Sequence, residues 1–502
     1  MPKFNKSKVD RSTPDSTNLA GGASYDRNSI KADIASVVLT SMLNGDSFYE
    51  TEQARLKRIE SLASNPDVGE FVAKAMVYAR TQGNLRSVSH FLANILSENV
   101  KGEPFVRSAL TKTFVRPDDL TEVLALWNER NPGKSVPNSL RRAFKDSLET
   151  FDNYQLKKYA GERQSVKLRD VVKLAHPTPA ENRDFKGLIE GTLPNIETAQ
   201  TVNAGSTGKE RADTYKSMLS NRKLGLMAAM KNIKNIVEAG ADDETIDMIC
   251  SLFENQRAIE KSRVLPYRFV QAFVVVDEMN MDRLKAKRII KSLERGFMSS
   301  AKNLPFVKDG ERVALLLDES CSMGSSRRDS SLLENTAFNH GKTMFASVLS
   351  GLNTDNTVGY LWAQNSREVT LNDSPFEFLK NTRSQGGGTD VWAPIKSLIQ
   401  TKTVVDKLVI FTDMQMYEIN RGWGSTTNRE FKDMVKDYRK INPNVKVLFW
   451  NLAGYGGGTP MKLDHNILEV SGFSDKILEV AGKMLEYSDK DFLVKEIESV
   501  QL

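Results

Sequence analysis

The chain is poor in the residues that most directly announce chemistry. It has only two cysteines and four histidines in 502 residues. Cys250 and Cys321 lie far apart in sequence and cannot build a disulfide framework, which agrees with a reducing compartment. The four scattered histidines argue against a zinc cage. No run approaches eighteen consecutive apolar residues, and the opening "MPKFNKSKVDRSTPDSTN" has no apolar core of the kind a secretory signal needs. A cytoplasmic protein is the expectation. No G-x-S-x-G elbow surrounds a serine, and "QGGGTD" lacks the lysine and spacing of a phosphate-binding loop, so hydrolase and phosphoryl-transfer readings find no support.

What is present describes a globular chain of 40% hydrophobic and 27% charged residues, long enough for two or more packed cores. The net charge of +6 is unevenly spread: residues 1–300 carry 46 Lys and Arg against 38 Asp and Glu, and the remainder is slightly acidic. The excess permits an anionic partner for the first three-fifths, although mixed charge on helices is also simply a solvated face.

Residues 1–18 are polar and expected to be disordered. From about Ser29 the apolar spacing is helical: Ile30, Ile34, Val37, Val38 and Met42 share a face, as do Val88, Phe91, Leu92, Ile95 and Leu96. More than a dozen such segments with short connections suit an all-α helical-repeat array of the HEAT kind. After Pro305 the pattern changes. The runs "RVALLLD", "TVGYLWA", "KLVIFTD" and "VKVLFWNL" alternate with helical stretches, which predicts an α/β doubly wound, Rossmann-like parallel sheet. The domains are therefore 1–18, 19–304 and 305–502.

Three polar groups follow these strands. Asp318, Ser320 and Ser322 close the first; Thr389 follows glycines 386–388; Asp413 closes "KLVIFTD". In a doubly wound sheet such loops converge at one edge. Carboxylate and hydroxyl oxygens without histidine or thiolate suit a hard cation, Mg²⁺ first and Mn²⁺ or Ca²⁺ next. The combination resembles the metal-ion-dependent adhesion site of the von Willebrand factor A domain, D-x-S-x-S followed by a later threonine and aspartate, with all five positions filled. Such a site leaves a coordination position for a partner's carboxylate. Glu319 places a further carboxylate beside it, able to tighten cation binding or to repel an acidic ligand. The continuation "MQMYE" after Asp413 is less polar than the usual one.

An array followed by an A domain is an uncommon order. The chain resembles the TROVE family, the Ro ribonucleoproteins and their bacterial counterparts, from "NLAGGASY" to the C-terminus, through "NSLRRAFKDSLE", "RQSVKLRDVVKLAHPTP", "SRVLPYRFVQAF", "LLLDESCSM", "GGGTD" and "VIFTDMQMYE". The resemblance implies a HEAT-like ring closed by the A domain. It implies small structured Y-type RNA on an outer basic surface and single-stranded ends of misfolded non-coding RNA in the ring, for RNA stability and quality control, with an exoribonuclease tethered through the RNA. It implies a non-catalytic protein.

By that resemblance Lys158, Arg163 and His176 match positions that contact RNA. Arg169 and Lys173, four apart on one helix face, are added from the sequence itself. Arg141, Arg142 and Lys145 are further candidates, although Asp146 and Glu149 could pair with them. His176 before Pro177 could equally end a helix. The competing expectation is a metal-dependent protein-interaction scaffold without RNA. A monomer is expected.

Overall fold

The computed structural model describes residues 14–502 apart from 28, 42, 44–45, 101, 162–163, 195–207, 263, 265, 303–309, 325–335, 352–355, 370–373, 389–391, 417–430 and 474. Among the described residues the helical part comprises sixteen helices. The first ten are α1 (Ile30–Thr40), α2 (Glu52–Ala63), α3 (Gly69–Thr81), α4 (Arg86–Asn99), α5 (Pro104–Thr113), α6 (Pro117–Arg130), α7 (Asn138–Leu148), α8 (Asn153–Lys158), α9 (Leu168–Ala175) and α10 (Phe185–Glu190). Six more follow: α11 (Gly208–Ser220), α12 (Leu226–Glu238), α13 (Asp243–Glu254), α14 (Gln256–Ser262), α15 (Pro266–Glu278) and α16 (Arg283–Lys302).

Their starts have local causes. Thr51, Asp152 and Asp242 accept backbone N–H bonds as N-caps, and Pro104 and Pro117 occupy first turns, where the missing N–H costs nothing. Alternate helices stack: α3 on α5, α5 on α7 and α7 on α9 in one layer, α2 on α4 and α4 on α6 in the other. Each hairpin covers the apolar face of the next, which is how a helical-repeat array builds one long core.

The second part is a six-stranded sheet of β3 (Val313–Asp318), β4 (Thr357–Trp362), β5 (Ser366–Val369), β6 (Lys407–Thr412), β7 (Lys446–Asn451) and β8 (Ile467–Ser471), in the order β5-β4-β3-β6-β7-β8. All pairs are parallel except the edge strand β5. The helices are α17 (Ala337–Gly351), α18 (Pro375–Asn381), α19 (Trp392–Gln400), α20 (Phe431–Tyr438), α21 (Asp475–Tyr487) and α22 (Phe492–Glu498). Strand order reverses at β3, whose neighbours are β4 and β6, so the C-terminal ends of β3 and β6 flank the crevice where such sheets bind ligands.

The hydrophobic interior does not divide where the sequence does. One cluster runs from Ile34 through the array into Leu315, Leu317, Phe411 and Trp450 on one face of the sheet; a second holds Leu316, Ile410, Trp362 and Phe449 on the other. The sheet therefore closes the array at both ends. At the far end Phe273 of α15 stacks on Phe376 of α18 at 4.4 Å, and Lys380 bonds Asp277. At the near end α1 packs on β8, and the buried Arg27 holds Glu469 through both carboxylate oxygens.

Part of the polar leader belongs to this closure. Residues 1–13 lie outside the described residues, but β1 (Ser16–Thr17) and β2 (Ala23–Ser24) pair antiparallel, and Tyr25 bridges to Thr459. The loop 454–459, "GYGGGT", is glycine-rich for close approach: a Cβ on Gly454 would meet Thr40 Oγ1 at 1.8 Å, and one on Gly458 would meet the Tyr25 carbonyl at 2.1 Å.

Candidate metal centre and basic surface

Asp318 is the last residue of β3, and Asp413 directly follows β6, its neighbour in the sheet. The register sets Leu317 opposite Phe411, so Asp318 meets Thr412, whose hydroxyl donates to Asp318 Oδ2 at 2.8 Å. Asp318 Oδ1 accepts the Ser320 N–H at 2.9 Å, which folds the turn back over the strand end. The Ser320 and Ser322 hydroxyls then lie 3.1 Å apart. Asp413 Oδ1 accepts the Gln415 N–H at 2.9 Å; Asp413 Oδ2 is buried and finds no hydrogen-bond partner among the described residues.

Burial pushes the Asp318 carboxyl well above the usual carboxylate range, and the neighbouring Asp413 adds to that. Burial raises Asp413 as well, with the Ser322 hydroxyl partly offsetting it. Neither carboxyl makes an ion pair among the described residues. Two buried acids, one of them with an orphaned oxygen, and two hydroxyls form a donor set that a divalent cation fits. Among the described residues no cluster of three or more His, Cys, Asp or Glu could hold a metal, so any cation here relies on hydroxyl and water oxygens besides these carboxylates.

Thr389 lies outside the described residues. The glycines before it are placed: Gly386 and Gly387 have positive φ, the Gly387 carbonyl accepts the Cys321 N–H at 3.2 Å, and the Gly387 N–H donates to Cys321 Sγ at 3.1 Å. Gly387 is thus docked on the serine turn.

Glu319 has partners of its own beside the site. Its buried carboxylate takes Arg367 at 2.8 Å and the Gln385 N–H at 3.3 Å, so it fastens the glycine loop. The "MQM" continuation supplies polarity through Gln415, whose Oε1 accepts the Leu19 N–H while its Nε2 donates to the Gly456 carbonyl. Asn18 donates to the Met416 carbonyl at 2.7 Å, and the Tyr455 hydroxyl reaches the Ser322 carbonyl at 3.5 Å. The closure of the array and the acidic crevice therefore share one set of bonds.

The basic candidates divide into two groups. Arg141, Arg142, Lys173 and His176 are exposed on the adjacent helices α7 and α9, with Lys145 and Arg169 half-buried beside them. The acids that could neutralise α7 are engaged elsewhere. Asp146 holds Arg107 at 2.6 and 2.7 Å, and Glu149 accepts the Thr178 N–H. Arg142, Lys173 and His176 make no ion pair among the described residues. His176 does end α9, in the left-handed conformation at φ 49°, and its N–H returns to the Val172 carbonyl. Its ring stays exposed, so the capping reading and the surface reading are both met. Arg163 lies outside the described residues.

Lys158 keeps different company. Its ammonium lies 5.9 Å from the Tyr154 ring centre and 5.6 Å from that of Tyr159, and the Arg116 guanidinium lies over Tyr159 at 5.0 Å. Burial lowers the Lys231 ammonium, and the charges of Arg268, Arg116 and Lys158 lower it further, so four cations from distant helices share one region. Sequence reasoning missed Arg116, Lys231 and Arg268, because residues that far apart leave no local signal.

A TROVE domain matches residues 28–217 and 203–330, more than half of the chain. The chain belongs to the TROVE family. The TROVE match runs through the array into the end of β3 and the Asp318 turn. "RNA-binding protein RO60" of Deinococcus radiodurans is 22% identical over 324 residues, 55% of this chain and 60% of that one. "Telomerase protein component 1" of Rattus norvegicus is 22% identical over 301 residues, 43% of this chain and 11% of that one. The TROVE chain thus spans less than two thirds of each of these relatives. The crystal structure of the Deinococcus radiodurans RO (RSR) protein superposes on 92% of this chain and all of that one, with a TM-score of 0.57 at 16% identity, which establishes a shared ring-plus-A-domain fold.

Proposed function

We propose that this TROVE chain is a non-catalytic RNA-binding protein of the Ro type. The observation that carries the reading is the exposed pair Arg142 and Lys173, which make no ion pair among the described residues, beside the exposed His176 on neighbouring helices, with a second cation group around Lys158. Phosphate contacts need such cations, and membership in a family with a relative named for RNA binding agrees with it. Within that reading the RNA is a small structured Y-like molecule on the α7–α9 face. Loose ends of misfolded RNA are the second ligand, and an exoribonuclease brought by the RNA is the partner class.

The acidic crevice would take Mg²⁺, whose charge would offset the two buried carboxylates at the ends of β3 and β6. Asp318, Ser320, Ser322 and Asp413 would hold it. All four are at most 5% exposed, which disfavours the scaffold reading, in which a partner's carboxylate reaches the ion.

The test is a salt titration with a labelled hairpin RNA. Replacing Arg142, Lys158 and Lys173 by alanine is expected to flatten the slope of log affinity against log salt, by about 0.9 for each duplex phosphate left without its cation and about 0.7 for each single-strand phosphate. An unchanged slope contradicts the assignment of these side chains.

A further inference from the structure

Away from the cations of α7 and α9 lies a hollow of the opposite charge. It has a volume of about 610 Å³ and opens where α12 and α15 end and α13 and α16 begin. Val237, Ile246, Val275, Met279 and Met281 give it an apolar lining, all but Ile246 half-buried. The helix ends around it have local causes. Gly240 stops α12 at a φ of 91°, in the left-handed region that favours glycine, and its N–H returns to the Val237 carbonyl at 3.0 Å. Asp242 caps α13 by accepting the Thr245 N–H at 2.8 Å, and Asp282 caps α16 by accepting those of Leu284 and Lys285 at 3.1 and 2.9 Å.

Pairs within the chain leave the rim negative. Lys234 lies 3.8 Å from Glu238; Lys285 lies 3.6 Å from Asp243 and donates to the Ala241 carbonyl at 3.4 Å, so both lysines already have counter-charges. Glu278 is exposed and makes no ion pair or hydrogen bond among the described residues. Asp282 meets no cation there, and the partial positive charge at the start of α16 offsets only part of its own. The C-terminal ends of α12 and α15, which carry partial negative charge, add to both.

The complement of such a hollow is an apolar side chain for the lining with Arg or Lys beside it for the rim. Cationic side chains lay their stems on apolar walls while their heads reach carboxylates, and methionines adapt to the shape they meet. Phosphate-bearing ligands are repelled by the same carboxylates. Lys231 and Arg268 lie earlier on α12 and α15, so these two helices carry opposite charge preferences along their length.

We infer that the hollow between the ends of α12 and α15 docks a segment of a partner protein in which an apolar side chain is flanked by Arg or Lys. The docking does not depend on the RNA-binding reading.

A displayed library of short random peptides, selected on the full RNA-free chain, tests it. The enriched sequences are expected to place Arg or Lys beside a large apolar residue. A labelled copy of the most enriched peptide is expected to slow hydrogen exchange in residues 237–246 and 275–285 of wild type, a reading that needs no substitution. Glu278→Lys, a change on an exposed side chain, is expected to weaken that peptide about tenfold, because a like charge then faces its cation. A thermal unfolding trace checks that this variant is folded.

No enrichment, or enrichment of acidic or uncharged peptides, overturns the inference. So does exchange slowed only elsewhere, or an affinity unchanged in Glu278→Lys. Slower exchange of residues 275–285 with a hairpin RNA alone also overturns it, since the hollow then takes nucleic acid. Self-association of wild type that Glu278→Lys abolishes overturns it as well, because a second copy then fills the hollow.

Discussion

Replacing Asp119 by alanine is expected to lower the free energy of unfolding by about 3–5 kcal/mol, the range for removing one partner from a buried ion-pair network. Asp119 is fully buried near the start of α6 and serves five donors. Its Oδ2 accepts Arg80 at 2.8 Å and the N–H groups of Val115 and Arg116; its Oδ1 accepts Arg86 at 3.1 Å and contacts His90 Nε2 at 3.0 Å. These partners tie α3 and α4 to the start of α6, so the carboxylate joins both layers of the array. Deleting it strands the Arg80 guanidinium, itself 6% exposed, without its counter-ion.

The same group sets an acid limit. Burial alone would raise its pKa, but the His90 bond and the Arg80 charge more than offset that and hold the carboxyl far below its ordinary value. A depressed folded pKa means that the contribution is complete above the unfolded value near 4 and is lost as pH falls below it. Urea unfolding of wild type and Asp119→Ala at pH 7 and pH 3 checks both statements. The gap between the two proteins is expected to be large at pH 7 and to narrow at pH 3.

A second large effect is expected from Mg²⁺. Saturation to one hundred times its dissociation constant adds about 2.7 kcal/mol of stability to a chain that binds the ion only when folded. The sign of the pH dependence follows from the acidic pair. Both carboxyls are raised in the fold, so without a cation their contribution is present at acid pH and lost as pH rises through the raised values. A bound Mg²⁺ would replace the protons, so its stabilisation is expected to grow from pH 5 to pH 8. Asp413→Asn removes one charge and the orphaned oxygen's demand, and is expected to abolish the Mg²⁺ shift in melting temperature. An equal shift in that variant means that the ion acts elsewhere. Asn18, Leu19 and Tyr455 contact the same loops, so the shift is expected to appear as slower hydrogen exchange in residues 15–25 as well as in β3 and β6.

Much of this fold was legible because its strongest signals are local. Four buried strands announced themselves as unbroken apolar runs, and the D-x-S-x-S turn and the "KLVIFTD" aspartate reported their place at the sheet edge. What was missed depends on distant partners. "ILEVS" did not read as a strand because Glu469 interrupts it, and that glutamate is tolerated only because Arg27, hundreds of residues earlier, neutralises it. "SREV" is short and polar because it is an edge strand. The polar leader concealed a hairpin whose bonds are made with the loop after β7.

Site chemistry divides the same way. Asp318, Ser320, Ser322 and Asp413 lie together at the ends of β3 and β6, whereas the pairing of Glu319 with Arg367 leaves no local signal in the sequence. Among the basic residues, helical spacing correctly grouped Lys173 with its neighbours on α9. It could not reveal that Lys158 shares a region with Arg116, Lys231 and Arg268, or that Asp146 and Glu149 are occupied elsewhere.

The central claim, that this ring holds RNA through its basic helices, is tested most directly by crosslinking the protein in its own cells, purifying it and sequencing the RNA that accompanies it, for wild type and for Lys158→Ala with His176→Ser. The account predicts that one small structured RNA dominates the wild-type sample and is lost from the double variant while the protein remains folded. A wild-type sample with no enriched RNA, or a double variant that retains the same RNA undiminished, contradicts it.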